Sequence, residues 1–190
     1  RENINAKIIS ITGSCGKTTL KEMIGFTLKK ISNTTYSPKS FNNKYGVPLS
    51  LFNLKQNDDF GVFEVGMDKK GEIDYLSNII KPDVGVITNV SYAHIKNFKN
   101  ISEIAAAKGE IINNIKDNGS IVLNADDKFY NFHKFLALKK GLKVYNFSYN
   151  KKNTTVNLKK IFKQKNKYKI VLQVNNFEKY FYIRKNFNNF

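Results

Sequence analysis

Residues 8–20 read Ile8-Ile9-Ser10-Ile11-Thr12-Gly13-Ser14-Cys15-Gly16-Lys17-Thr18-Thr19-Leu20. An apolar run passes into a glycine-punctuated loop and then into residues of helical character, and that order decides the fold. Gly13 and Gly16 let the backbone turn tightly, so that successive N–H groups point inward as they must to hold phosphate oxygens. A helix beginning near Lys17 brings the positive end of its dipole to the same place. Lys17 is spaced to reach the β- and γ-phosphates of a nucleotide, and the Thr18 hydroxyl to ligate Mg²⁺. The general pattern has glycine five residues before Gly16, where this chain has Ile11, so residues 12–18 form a variant of it. The expected nucleotide-contacting set is Thr12, Gly13, Ser14, Cys15, Gly16, Lys17, Thr18 and Thr19.

Outward from this loop, the pattern alternates. A helix is expected over 18–31, with Leu20, Met23, Ile24, Thr27, Leu28 and Ile31 at helical spacing. A short strand at 34–37 ends at Pro38, and a polar loop over 40–48 leads to a short helix at 49–54. Residues 60–65 form a largely apolar strand containing Glu64. Further helices are expected at 72–80, at 102–115 with Ser102 as N-cap, and at 127–138. The intervening strands fall at 84–88, 120–123 and 142–147. Such alternation with short connections predicts an α/β fold, a P-loop three-layer domain with a mainly parallel sheet and helices on both faces. Ligands of such sheets gather at the carboxyl ends of the strands, where the loop, Glu64, Asn89 and Asn124 all fall. Beyond residue 150 the pattern changes to β segments at 156–162, 168–174 and 179–183 with polar turns. The expectation is a domain over 1–150 followed by a small antiparallel β-rich extension over 151–190.

The 190 residues carry a formal charge of +17, unevenly distributed: residues 139–190 hold 14 basic side chains and 1 acidic one. A basic segment can bind nucleic acid or an anionic surface. The whole chain is rich in Lys, Asn, Ile, Phe and Tyr, so the charge reads as compositional drift in an AT-rich genome, with no nucleic-acid partner expected. No apolar run is long enough to span a bilayer, and Arg1-Glu2-Asn3 opens no secretory signal, so the expected location is the cytoplasm and no membrane insertion is expected. Cys15 is the single cysteine, which excludes an internal disulfide and suits a reducing compartment. Inside the loop it reads as a small residue at a tolerant position, or else as a thiol whose oxidation would disturb nucleotide binding. One cysteine and two histidines, His94 and His133, argue against a zinc site.

Five segments in order resemble the Mur ligases. They are 12–23 with the phosphate loop, Ser40-Phe-Asn-Asn-Lys-Tyr-Gly-Val-Pro-Leu-Ser-Leu, Phe63-Glu-Val-Gly-Met with Gly71-Glu-Ile, Pro82-Asp-Val-Gly-Val-Ile-Thr-Asn-Val-Ser-Tyr-Ala-His-Ile, and Ile104-Ala-Ala-Ala-Lys-Gly-Glu-Ile with Leu123-Asn-Ala-Asp-Asp. The resemblance spans about residues 7–130. Asn42-Asn43-x-x-Gly46-Val47-Pro48-Leu49 and Ala107-Lys108-Gly109-Glu110-Ile111 are most similar to the branch of peptidoglycan precursor synthesis that adds D-alanyl-D-alanine to UDP-MurNAc-tripeptide.

The resemblance implies ATP-driven amide ligation through an acyl phosphate, with Mg²⁺, by the central ATPase unit of a three-domain enzyme acting as a monomer. The N-terminal UDP-sugar domain and the C-terminal domain of that family are expected to be absent from this chain, which alone would bind Mg·ATP weakly and ligate nothing. Lys17, His94 and Lys108 would then be the catalytic set. Glu64 would join Thr18 as a Mg²⁺ ligand, where an exposed strand-end carboxylate is the plainer reading. His94 would hold a second metal. Lys108 would be carbamylated, or else a helix-surface lysine paired with Glu110 or Glu103. Asn124 and Asp126 would lie near the adenine, and Asn42 and Asn43 would contact nucleotide or shape their loop. Other ligases of the superfamily, folylpolyglutamate synthase among them, and a nucleic-acid-associated P-loop protein using residues 139–185 are the alternatives.

Overall fold

The computed structural model describes residues 5–92 and 97–184. The chain forms two compact units, one built from residues up to 123 together with 127–144, the other from 124–126 and the residues from 145 onward.

In the first unit, β1 (Lys7–Thr12) is central, flanked by β3 (Phe60–Glu64) and β4 (Val84–Ile87). With β2 (Thr34–Tyr36) outside β3 and β5 (Ser120–Asn124) outside β4, the order is β2-β3-β1-β4-β5, every pairing parallel. The register sets Ile11 beside Glu64 on one side and beside Val86 on the other. Helices α1 (Lys17–Leu28), α2 (Gly46–Phe52), α3 (Glu72–Ile80) and α4 (Ile101–Gly109) supply the crossovers, and α5 (Tyr130–Lys139) follows β5. A parallel sheet is covered on both faces, and its strands are accordingly apolar on both. One face packs Ile8, Phe63, Ile87 and Ile121 against Ile73, Leu76, Ile104 and Ile111 of the helical layer. The other packs Ile11, Val62 and Val86 against Leu20, Ile24 and Leu28 of α1. Each fully buried Ile or Leu contributes about 1.5–3 kcal/mol. The carboxyl ends of β1, β3 and β4 therefore lie side by side, and the loops leaving them share one edge of the sheet.

Three local readings are corrected. Helix α1 ends at Leu28, short of the expected 31, so Ile31 lies beyond it and is exposed; within α1, Met23 is exposed while Lys21 and Gly25 are buried. The helix turns its 21/25 edge toward β2, so Gly25 packs under the Tyr36 ring. Second, α2 begins at Gly46, three residues early, because Asn43 Oδ1 accepts the Tyr45 and Gly46 N–H groups and starts the turn. Pro48 falls within the first turn, where its missing N–H costs nothing. Third, Asn100, not Ser102, caps α4. Its Oδ1 accepts the Glu103 N–H while the Glu103 carboxylate accepts the Lys99 N–H, a variant of the capping box whose return bond lands one residue before the cap. Beyond Gly109 the helix tightens into a 3₁₀ turn at Glu110–Asn114.

The second unit holds most of β6 (Lys143–Ser148), with β7 (Val156–Lys163), β8 (Lys167–Val174) and β9 (Phe177–Arg184). β6 and β7 pair in parallel, whereas β7, β8 and β9 form an antiparallel meander with an irregularity between Leu158 and Lys160. Residues Lys160, Phe162, Lys167, Lys169, Tyr180 and Tyr182 share one face by this register. Among the described residues, no helix is long and apolar enough to cross a membrane.

Candidate functional site

The loop between β1 and α1 is held from one side by the segment after β4. Asn89 accepts the Ser14 N–H at its carbonyl (2.9 Å) and the Cys15 N–H at Oδ1 (3.0 Å). Thr88 Oγ1 donates to the Cys15 carbonyl at 2.7 Å, and the Ser14 hydroxyl exchanges hydrogen bonds with the Ser91 backbone. Gly13, at φ 146°, admits no side chain, since a Cβ would sit 1.9 Å from Thr88 Oγ1. Gly16, at φ 79°, faces open space, so its requirement is conformational only. The Ser14 and Cys15 amides are therefore spent on shaping the loop. The first three amides of α1, those of Lys17, Thr18 and Thr19, have no backbone partner among the described residues, and they form the anion-binding end of the helix. Thr12 and Ser10 lie beneath, buried in β1, their hydroxyls without hydrogen-bond partners among the described residues.

Lys17 leads α1 and donates from Nζ to the Gly13 carbonyl at 3.0 Å, curling over the loop. Thr18 Oγ1 donates to Glu64 Oε2 at 2.7 Å, and Asn42 Nδ2 donates to Oε1 of the same carboxylate at 2.7 Å. Glu64 is 1 % exposed, so it is a buried acceptor and not a solvated strand end. Ser40 Oγ stands 3.4 Å from Thr18 Oγ1. The structure thus brings Lys17, Thr18, Glu64 and Asn42 together. Asn42 serves the carboxylate, and Asn43 has its Oδ1 committed to the start of α2. A cavity of about 650 Å³ adjoins Lys17, with Asn42, Lys44, Tyr45, Lys69 and Lys70 among its walls.

Lys108, on the last turn of α4, is 2 % exposed. It pairs with neither acid expected from the sequence. Glu110 instead accepts the Gly71 and Asp74 N–H groups at the start of α3, and Glu103 closes the α4 cap. Burial of the Lys108 ammonium, followed by repulsion from Lys17, lowers its pKa from 10.5 to about 8, a fall only partly opposed by Cys15. Desolvation also raises the Glu110 carboxyl above its ordinary value, against the hydrogen bonds from Gly71 and Asp74. His94 lies outside the described residues. Cys15 is exposed.

In the second unit, Asn124 Oδ1 accepts the Asp126 N–H, and the Asp126 carboxylate accepts from the Ser148 hydroxyl (2.7 Å) and the Tyr149 N–H (2.6 Å). Desolvation raises the Asp126 pKa, but those hydrogen bonds and the Lys151 charge outweigh it and leave it below the ordinary value. The two residues form one small polar turn. Sequence reasoning placed Asn89 at a ligand-facing strand end but not as the clamp of the phosphate loop, and it missed Lys21, buried in α1. The first was visible as a strand-end polar residue; the second carried only a hint, a lysine one turn after Lys17.

A central parallel sheet, a phosphate loop over its middle strand and a buried acid on the neighbouring strand define a P-loop α/β domain. The Mur ligase middle domain matches residues 11–185, and the chain belongs to the Mur ligase family. The UDP-N-acetylmuramoyl-tripeptide–D-alanyl-D-alanine ligase of Buchnera aphidicola subsp. Acyrthosiphon pisum is 43 % identical over 155 residues, covering 80 % of this chain and 33 % of that protein. The crystal structure of MurF from Acinetobacter baumannii superposes with a TM-score of 0.87 at 30 % identity, over 96 % of this chain and 39 % of that one. MurF from Thermotoga maritima, solved in complex with ADP, gives 0.83 at 27 % identity, over 96 % of this chain and 41 % of that one. The chain spans about a third of the length of the curated relatives it matches.

Proposed function

We propose that the chain is the ATP-handling central unit of an amide ligase that joins D-alanyl-D-alanine to UDP-MurNAc-tripeptide in the cytoplasm, acting as a monomer. The observation that carries the reading is the cluster of Thr18 and Asn42 on the buried Glu64 carboxylate, beside Lys17 and the open first turn of α1. The α1 amides and Lys17 would bind the β- and γ-phosphates by charge-assisted hydrogen bonds. The donor set fits Mg²⁺: a hydroxyl and a carboxylate are hard oxygen ligands, and this ion is commonly held by one carboxylate plus nucleotide phosphates. When bound, Mg²⁺ would neutralise charge developing on the transferred phosphoryl group. The cavity beside Lys17 would orient the acyl donor's carboxylate toward the γ-phosphate. Asn124 and Asp126 would serve the adenine end of the nucleotide, and His94 a second metal.

Lys108 fits carbamylation. A buried amine whose pKa falls to about 8 exposes an appreciable neutral fraction near pH 7.5. Its nitrogen would attack CO₂, forming an N–C bond and releasing one proton to solvent. The product is an anion facing Lys17, which replaces a repulsion between two cations by an attraction.

The test is phosphate release by this unit carried within a protein of its relatives' length. Release should require both UDP-MurNAc-tripeptide and D-alanyl-D-alanine, with the amide product confirmed by mass. Equal release with a folate or with a different amino acid would instead assign another ligase of the superfamily.

One observation favours a second reading. On the β8–β9 face, Lys167 lies 4.1 Å from the Tyr182 ring centre and Lys169 lies 4.4 Å from that of Tyr180, an exposed array of cations and rings of the kind that stacks single-stranded nucleic acid. A specific binder would lose oligonucleotide affinity with a log–log salt slope of several units, falling by about 1 with Lys169→Ala. Weak retention insensitive to that substitution would dismiss it.

A further inference from the structure

The most thoroughly buried ionisable side chain outside the catalytic cluster is Lys21, at 0 % exposure, one helical turn after Lys17. Its ammonium has three hydrogen-bond donors, and three acceptors meet it: the carbonyls of Ser37 (2.6 Å) and Lys39 (2.5 Å) and the Glu22 carboxylate (2.7 Å). Two of those acceptors bracket Pro38. Lys39 has φ 46°, a left-handed conformation that is strained for a non-glycine residue. It persists only where the surroundings enforce it.

The chain leaving this turn goes directly to the metal-type cluster. Ser40 Oγ reaches Thr18 Oγ1, and two residues later Asn42 holds the Glu64 carboxylate while its carbonyl accepts the Gly66 N–H. From the other end, the Ser37 N–H donates to the Val62 carbonyl and its Oγ accepts the Glu64 N–H at 3.4 Å. Residues 37–42 are therefore a strap laid across the end of β3, and the Lys21 ammonium is the peg that fixes its bend. Nothing in phosphate binding requires a buried cation there, since Lys21 Nζ is saturated by the strap and Glu22.

We propose that Lys21 is a positioning residue for Mg²⁺: it acts through the strained Lys39 turn to set Asn42 and Ser40 around the Thr18–Glu64 pair. The inference rests on the nucleotide reading above. Lys17 touches the ligand, whereas Lys21 governs only the geometry of the divalent-ion ligands.

The experiment is calorimetric titration of ADP into the 190-residue chain, with and without Mg²⁺, for wild type, Lys21→Met, Asn42→Ala and the double variant. Lys21→Met should raise the half-saturating Mg²⁺ concentration about tenfold and leave Mg²⁺-free ADP affinity within about twofold. Because both residues act through one cluster, the double variant should bind no more weakly than Asn42→Ala alone. Pro38→Gly loosens the same bend without touching the ammonium, and it should reproduce the Mg²⁺ effect should Lys21→Met not fold. Lys21→Arg, which keeps the charge and the donors, should recover at least part of the Mg²⁺ response. Equal loss with and without Mg²⁺, additive losses in the double variant, or an unchanged Mg²⁺ response in both Lys21→Met and Pro38→Gly would overturn the assignment. A wild-type chain that takes up no ADP even with Mg²⁺ would remove the nucleotide reading and this inference together.

Discussion

Lys17→Met should weaken Mg·ATP binding by the chain at least about 100-fold in calorimetry, with the melting temperature held or raised. The affinity loss follows from geometry. Lys17 Nζ now donates to Gly13 O and stands over the first turn of α1, so a nucleotide would exchange that neutral acceptor for phosphate oxygens. A charge-assisted hydrogen bond in a partly buried site contributes about 1.5–3 kcal/mol, and two phosphate contacts exceed the 2.7 kcal/mol that a 100-fold change requires. The stability half of the prediction follows from charge. Lys17 repels the buried Lys108 ammonium and helps to depress its pKa; removing that charge relieves the repulsion. A variant that binds within threefold of wild type would show that the loop amides suffice and would demote Lys17 from its assigned role.

Lys108 supplies the second large effect, and its sign is fixed by the direction of its pKa. The ammonium titrates at about 8 in the fold against 10.5 as its ordinary value. Between those two pH values the unfolded chain binds more protons than the folded one, so folding stability from this group rises with pH across that window. Below pH 8 both states are protonated, and the fold bears the whole cost of burying a cation with no acidic partner among the described residues, on the order of 3 kcal/mol. Lys108→Met removes the charge at similar volume. In urea titrations the variant should be more stable than wild type at pH 7, by about 1–3 kcal/mol, and should lack the rise between pH 8 and 10. Ligation by the longer protein should fall by about 100-fold or more. Added bicarbonate should stabilise wild type at pH 8 but not the variant, because only the lysine can gain the neutralising carboxylate. Coincident pH profiles for the two chains would mean that Lys108 is not buried as a cation in solution.

Much of the architecture was readable because parallel strands carry long apolar runs and because glycine marks turns. Residues 8–20 alone placed β1, the loop and α1, and alternation placed Glu64 at the end of the neighbouring strand. The face of α1 was read in part: Leu20, Ile24 and Leu28 pack on the sheet as expected, whereas Met23 is exposed and the 21/25 edge is buried, for a physical reason. Periodicity counts apolar residues, whereas this helix buries a lysine whose ammonium finds two of its three acceptors in carbonyls 16 and 18 residues away. No local pattern reports such partners. The same limit applies to Lys108: in sequence it is a lysine near two glutamates, and only packing shows that Glu110 turns away to bind the start of α3. Asn100 was passed over for Ser102 because either residue type caps well, and the choice fell to the reach of Glu103 back to Lys99.

The hydrogen bond from Thr18 to Glu64 carries a consequence for the order of events. In the resting protein the hydroxyl proton already occupies one carboxylate oxygen, and the Asn42 amide occupies the other. A free divalent ion arriving from water would have to break that closed circuit and shed its own hydration shell while gaining only one anionic ligand. An ion arriving already attached to a nucleotide brings its remaining ligands along, and only the Thr18 proton has to swing aside. Titration with Mg²⁺ alone should accordingly give no saturable heat. The site is self-sealed against stray cations and opens to a metal only in the company of its cargo.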